Sequence, residues 1–112
     1  MLFQLTIPGV DEELFYRGIC LTLLNLAFIK RIRIFGVNFG IGIILVTIQF
    51  ALGHSLFFDI KNGFYFSLFN FSYTAVIGLL YGVLAESTKS LLLPIVAHNS
   101  YNVIVTLISI FR

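Results

Sequence analysis

Four long apolar stretches, separated by short polar punctuation, organise this chain. They run from about Pro8 to Ile29, Phe35 to Phe57, Phe64 to Ala85 and Leu91 to Phe111. Between them stand Lys30, Arg31 and Arg33, then Asp59, Lys61, Asn62 and Gly63, then Glu86 to Ser90. Each run is continuous and long enough for a helix that crosses a hydrocarbon core in about 20 residues. Barrel strands would alternate in polarity over about ten residues, which excludes a membrane barrel. Short connections make neighbouring helices antiparallel. The pattern therefore predicts an all-α polytopic membrane protein, with about four transmembrane helices in an antiparallel bundle and one domain over residues 1–112.

The helix ends refine this picture. Pro8 suits the first turn of a helix, where a missing N–H is harmless. Asp11, Glu12 and Glu13 would then fall in the first turns, where the helix dipole favours negative charge. Gly36 and Gly40 have the spacing that lets membrane helices approach closely. The basic Lys30–Arg33 connection points to the cytoplasmic side, and Lys89 agrees.

Composition supports lipid as the solvent. Of 112 residues, 59% are hydrophobic and 11% are charged, against roughly 25% charged in an ordinary soluble domain. Mean hydropathy is +1.02. The net charge of +2 is too small and scattered for nucleic acid, which would want a basic face. The single cysteine, Cys20, forms no internal disulfide and reads as a buried thiol. No secretory signal peptide is evident.

Against this apolar background the few polar groups stand out. Ionisable side chains inside a membrane are costly and ask for a functional reason. Glu12 and Glu13 open the first run, His54 closes the second, and His98 and Asn102 lie inside the fourth. On a helix, residues four apart share a face, so Glu13 pairs with Arg17 while Glu12 diverges and stays free. A free carboxylate in a low-dielectric site can act as a general base. His54 is a proton carrier, a metal ligand or an interfacial histidine at a helix end. His98 and Asn102 share a face, and either bond across helices or donate to an oxyanion. Together the set can activate water and stabilise a tetrahedral intermediate, without a covalent nucleophile. Uniform helix starts leave one difficulty. Glu12 and His54 lie near one membrane face while Asn102 lies at mid-depth, so the helices must tilt or the cavity must be deep.

The ordered motifs Glu12-Glu13-x-x-x-Arg17-Gly18, Phe50-x-x-x-His54 and His98-x-x-x-Asn102 resemble the CPBP family. Its members are the CAAX prenyl proteases of type II and bacteriocin-processing membrane proteins, also called the Abi family. The resemblance covers residue 8 to about 105. It implies an intramembrane glutamic protease of the cell membrane that uses no cofactor. Glu12 and His54 would activate the hydrolytic water, His98 and Asn102 would stabilise the transition state, and Glu13 and Arg17 would support them. Substrates would be a peptide, a prenylated protein or a bacteriocin-type precursor in the bilayer. Family members usually carry further membrane helices before the first motif, so a truncated or minimal core is expected. Two alternatives accompany this reading. Two histidines and a glutamate are also a legitimate zinc set. A chain that binds without cutting would be a bacteriocin immunity or scaffold protein.

Overall fold

The computed structural model describes residues 2–112. A continuous helical path opens it, made of α1 (Leu2–Glu13), a π-helical stretch (Leu14–Cys20) and α2 (Leu21–Ala27). An antiparallel hairpin, β1 (Arg31–Ile34) with β2 (Val37–Gly40), leads into α3 (Ile41–Gly53). A second antiparallel hairpin, β3 (Leu56–Asp59) with β4 (Gly63–Phe66), leads into α4 (Leu68–Thr88) and α5 (Leu92–Ile110).

Helices α4 and α5 are long and apolar enough to cross a membrane, while α3 is a shorter apolar helix. Only 22% and 17% of the apolar windows of α4 and α5 are buried, so neither is the core helix of a water-soluble fold. Val76, Leu80, Ile104 and Ile108 point outward, as side chains do when the surroundings are as apolar as they are. The fold is thus mostly helical, with two helices of spanning length.

Three expectations are corrected. Helix α1 starts at Leu2, so Pro8 lies inside it rather than in its first turn. Glu12 and Glu13 accordingly sit in the interior of the continuous helical path, away from the N-terminus whose dipole favours acids. The same shift places Glu12 well along the helical path rather than at its start, and it meets His54 and His98 there. Second, Gly36 does not pack helices. Phe35 (φ 48°) and Gly36 (φ 81°) form the two-residue turn of the first hairpin, and positive φ at both centres is the signature of a type I′ turn. Third, Glu86 is not in a loop. It belongs to α4 and is 4% exposed.

Close helix approach comes instead from Gly78 and Gly82, four apart on α4. A Cβ at Gly78 would meet Phe50 Cδ1 at 2.7 Å, and one at Gly82 would meet Ile43 Cγ1 at 2.8 Å. This is the small-xxx-small device, and it seats α4 on α3. Leu21, Ile43, Val46 and Ala85 form the buried core between them and α2. Helices α4 and α5 fold back at the turn Lys89–Leu91, and the contacts Tyr81–His98 and Tyr73–Tyr101 are those of an antiparallel pair.

Two polar clamps fix the remaining packing. Beyond Pro8, the Gly9 N–H donates to Asn99 Oδ1 at 2.8 Å, and Asn99 Nδ2 donates to Thr6 O at 3.4 Å. A neighbouring side chain thus serves backbone groups beside the proline, as membrane helices require. This ties α1 to α5 one residue from His98. At the opposite end Glu86 accepts from Asn25 Nδ2 at 2.5 Å and Lys89 Nζ at 3.1 Å, with Arg31 Nη1 3.9 Å away. The basic hairpin and Lys89 therefore lie at one end of the molecule.

Replacing Asn99 with leucine removes the first clamp and leaves a backbone N–H unpaired in apolar surroundings. The expected loss is about 1–3 kcal/mol, measured as a lower unfolding midpoint in mixed micelles.

Candidate active site

The site grows from a change of helical winding. The π-helical stretch begins directly after Glu13. Such stretches are uncommon and concentrate at functional sites, because the extra residue re-aims neighbouring side chains. Glu13 and Arg17 nevertheless pair along this segment, Arg17 Nη1 donating to Glu13 Oε1 at 3.1 Å. Both side chains are fully buried. The second amino group, Nη2, donates to the Gly78 carbonyl at 2.6 Å. The guanidinium carbon also lies 4.6 Å from the Phe50 ring centre and 5.5 Å from that of Tyr81, within the range of cation–π attraction.

The two imidazoles come from different elements and meet Glu12. His54 caps the end of α3, and its Nδ1 lies 2.8 Å from the Phe50 carbonyl. A carbonyl only accepts, so Nδ1 carries the proton and Nε2 is turned toward Glu12. His98, 5% exposed on α5, has Nδ1 2.8 Å from Glu13 Oε1. By the same argument that nitrogen donates to the carboxylate. Glu12 Oε2 then lies 3.4 Å from His54 Nε2 and 3.7 Å from His98 Nε2. This oxygen is buried and has no hydrogen-bond partner among the described residues.

A cavity of about 290 Å³ adjoins this convergence. His54, His98 and Asn102 line it together with Phe50, Tyr81 and Tyr101. Its walls mix aromatic faces with amide and imidazole groups, as ligand cavities do. The structure thus brings all six sequence-predicted residues to one region. Glu12, His54 and His98 converge, Glu13 and Arg17 back them, and Asn102 lies on the cavity wall.

A family model described as type II CAAX prenyl endopeptidase, Rce1-like, matches residues 1–104. The chain belongs to that family. No curated protein and no solved structure matches it. Membership makes this a chain of a membrane-embedded protease family, and identifies peptides or prenylated proteins as the family's substrates.

Sequence reading missed the part of α4. Gly78 supplies the carbonyl that holds Arg17, and Tyr81 stacks on His98 with ring centres 5.0 Å apart and planes 17° apart. Phe50 fills the middle, edge-on to Tyr16 at 5.1 Å and to His98 at 6.1 Å. Phe50 was legible as a motif position. The Gly78–Gly82 spacing was the available signal for α4, because it marks a helix face built for close approach. Among the described residues no group of three or more His, Cys, Asp or Glu side chains is arranged to hold a metal ion.

Proposed function

We propose that this chain is an intramembrane endopeptidase that hydrolyses a peptide bond with activated water and without a metal. It would cross the cell membrane several times, as an antiparallel bundle of about four helices. One observation carries the reading: a buried, unpartnered carboxylate oxygen of Glu12 faces the Nε2 atoms of two histidines whose Nδ1 atoms are tied back.

The chemistry follows from that arrangement. Water between Glu12 Oε2 and His54 Nε2 loses a proton to the carboxylate as its oxygen attacks the scissile carbonyl carbon. The carbonyl oxygen becomes an oxyanion. His98, whose Nδ1 donates to the Glu13 carboxylate, would donate from Nε2 as an imidazolium, and Asn102 would donate from its amide. Glu12 returns the proton to the leaving nitrogen as the C–N bond breaks, giving a carboxylic acid and an amine. Arg17 balances the charge of Glu13.

The substrate would be a peptide beside a membrane-bound lipid group, the chemistry that the family description names. The test uses the whole chain reconstituted in vesicles with a fluorogenic peptide carrying a prenylated cysteine near its C terminus. Cleavage that persists after exhaustive chelation is the expected result. Cleavage abolished by chelators and restored by zinc would replace this mechanism with a zinc-dependent one. Tight peptide binding with no cleavage would favour a non-catalytic role.

A further inference from the structure

We infer that Tyr81 is a positioning residue for His98, setting the plane of its imidazole so that Nε2 points at the reacting atoms. This deepens the proposed hydrolytic reading and rests on it. The observation behind it is geometric. Helix α4 contributes no charged group to the site, yet it supplies the aromatic face stacked on His98.

A single hydrogen bond leaves an imidazole free to pivot. His98 has one such bond inside the described site, from Nδ1 to Glu13 Oε1. That bond fixes one ring atom and not the orientation of the ring plane. Tyr81 supplies the missing restraint. Its ring lies nearly parallel to the imidazole, with centres 5.0 Å apart and planes at 17°. Phe50 closes the adjacent side, its ring at 89° to His98 and 6.1 Å away. A flat face and an edge together leave the imidazole one comfortable plane. In that plane Nε2 lies 3.7 Å from Glu12 Oε2.

Tyr81 is itself well held. It is 5% exposed, and its ring meets Phe50 at 6.4 Å and 75°. The Arg17 guanidinium lies 5.5 Å from its centre and hydrogen-bonds Gly78, three residues earlier on the same helix. Arg17 therefore docks α4 and its aromatic ring to the segment that carries both glutamates. The electron-rich face of a tyrosine also favours a neighbouring cation, and the proposed mechanism uses His98 in its protonated form. What the stack requires is a ring. The hydroxyl is dispensable.

The chain contains 2 histidines, which makes a direct test practical. Wild type, Tyr81→Phe and Tyr81→Leu are prepared with ¹⁵N,¹³C-histidine in lipid nanodiscs. In Tyr81→Leu the His98 ring resonances shift, because the ring current of the stacked tyrosine is lost, while those of His54 stay in place. Tyr81→Phe keeps the wild-type spectrum. On the prenylated peptide, Tyr81→Leu lowers kcat about 10- to 100-fold, the scale expected for a misoriented catalytic group. Tyr81→Phe remains within about threefold of wild type, since the ring that fixes orientation is kept. The inference is overturned by unmoved His98 resonances in Tyr81→Leu, by equal movement of both histidines, or by failure of phenylalanine to preserve the signal. The spectra need no turnover, so they remain decisive even if the wild type cleaves nothing, an outcome that would sink the hydrolytic reading alone.

Discussion

Glu12→Gln lowers peptide hydrolysis by about 10³-fold or more, with the fold intact. The isosteric amide keeps the size and hydrogen-bonding reach of the carboxylate but cannot take a proton from water. General-base catalysis contributes roughly 10²–10⁴-fold. Glu12 also returns the proton to the leaving nitrogen, so both halves of the reaction suffer. A 10³-fold loss corresponds to about 4 kcal/mol of transition-state stabilisation. Glu12 is the member of the acid pair that the protein leaves chemically free: its Oε2 accepts no hydrogen bond among the described residues and faces the two Nε2 atoms at 3.4 and 3.7 Å. The measurement is single-turnover cleavage of the prenylated peptide in vesicles, beside the unfolding midpoint in mixed micelles. Turnover within about tenfold of wild type would remove Glu12 from the general-base role, because losing an essential base costs about 10²-fold or more. An unchanged unfolding midpoint with lost turnover separates chemistry from packing.

Much of this site was legible from the sequence because ionisable groups in an apolar chain have few reasons to exist. Glu13 with Arg17, and His98 with Asn102, follow from helical spacing alone. Their convergence with His54 required the order of the spans. What failed was local. The run from Arg31 to Gly40 forms a hairpin with Phe35-Gly36 at its turn, yet its first half reads as a basic connection and its second half, from Phe35, as the start of a membrane helix. Short strands rich in Ile and Phe resemble helix by composition, and alternation over four residues is a weak signal. The second hairpin was hidden similarly, although Gly63 marks its turn with φ 74°. Glu86 was assigned to a loop because Ser and Thr follow it. Its burial depends on Asn25 and Arg31, which lie far from it in sequence, together with the nearby Lys89. Asn99 is one polar residue beside His98 in an apolar run. Nothing in its neighbours announced that it serves the backbone beside Pro8. Tyr81 lacked any polar signature, since a stacking contact between helices leaves no periodic trace.

The second large effect concerns the buried pair behind the site, and it separates support from chemistry. Arg17→Met leaves Glu13 as a buried carboxylate without its cationic partner. Breaking one side of a buried ion pair destabilises a protein by about 3–5 kcal/mol, mostly through the uncompensated charge. Here the loss extends further, because Arg17 also holds the Gly78 carbonyl at 2.6 Å and sits over Phe50. The double variant Glu13→Gln with Arg17→Met removes both charges. It recovers a large part of that stability, and the two substitutions are strongly non-additive, as expected for groups in direct contact. Turnover does not return with it. A neutral amide at position 13 still accepts from His98 Nδ1, but it no longer stabilises the imidazolium that donates to the oxyanion. Losing one oxyanion donor costs about 10²–10³-fold. Unfolding midpoints and single-turnover rates of the three variants decide the matter together. Additive destabilisation would show that the pair is not a coupled unit. Recovered turnover in the double variant would mean that Glu13 only fills space beside His98.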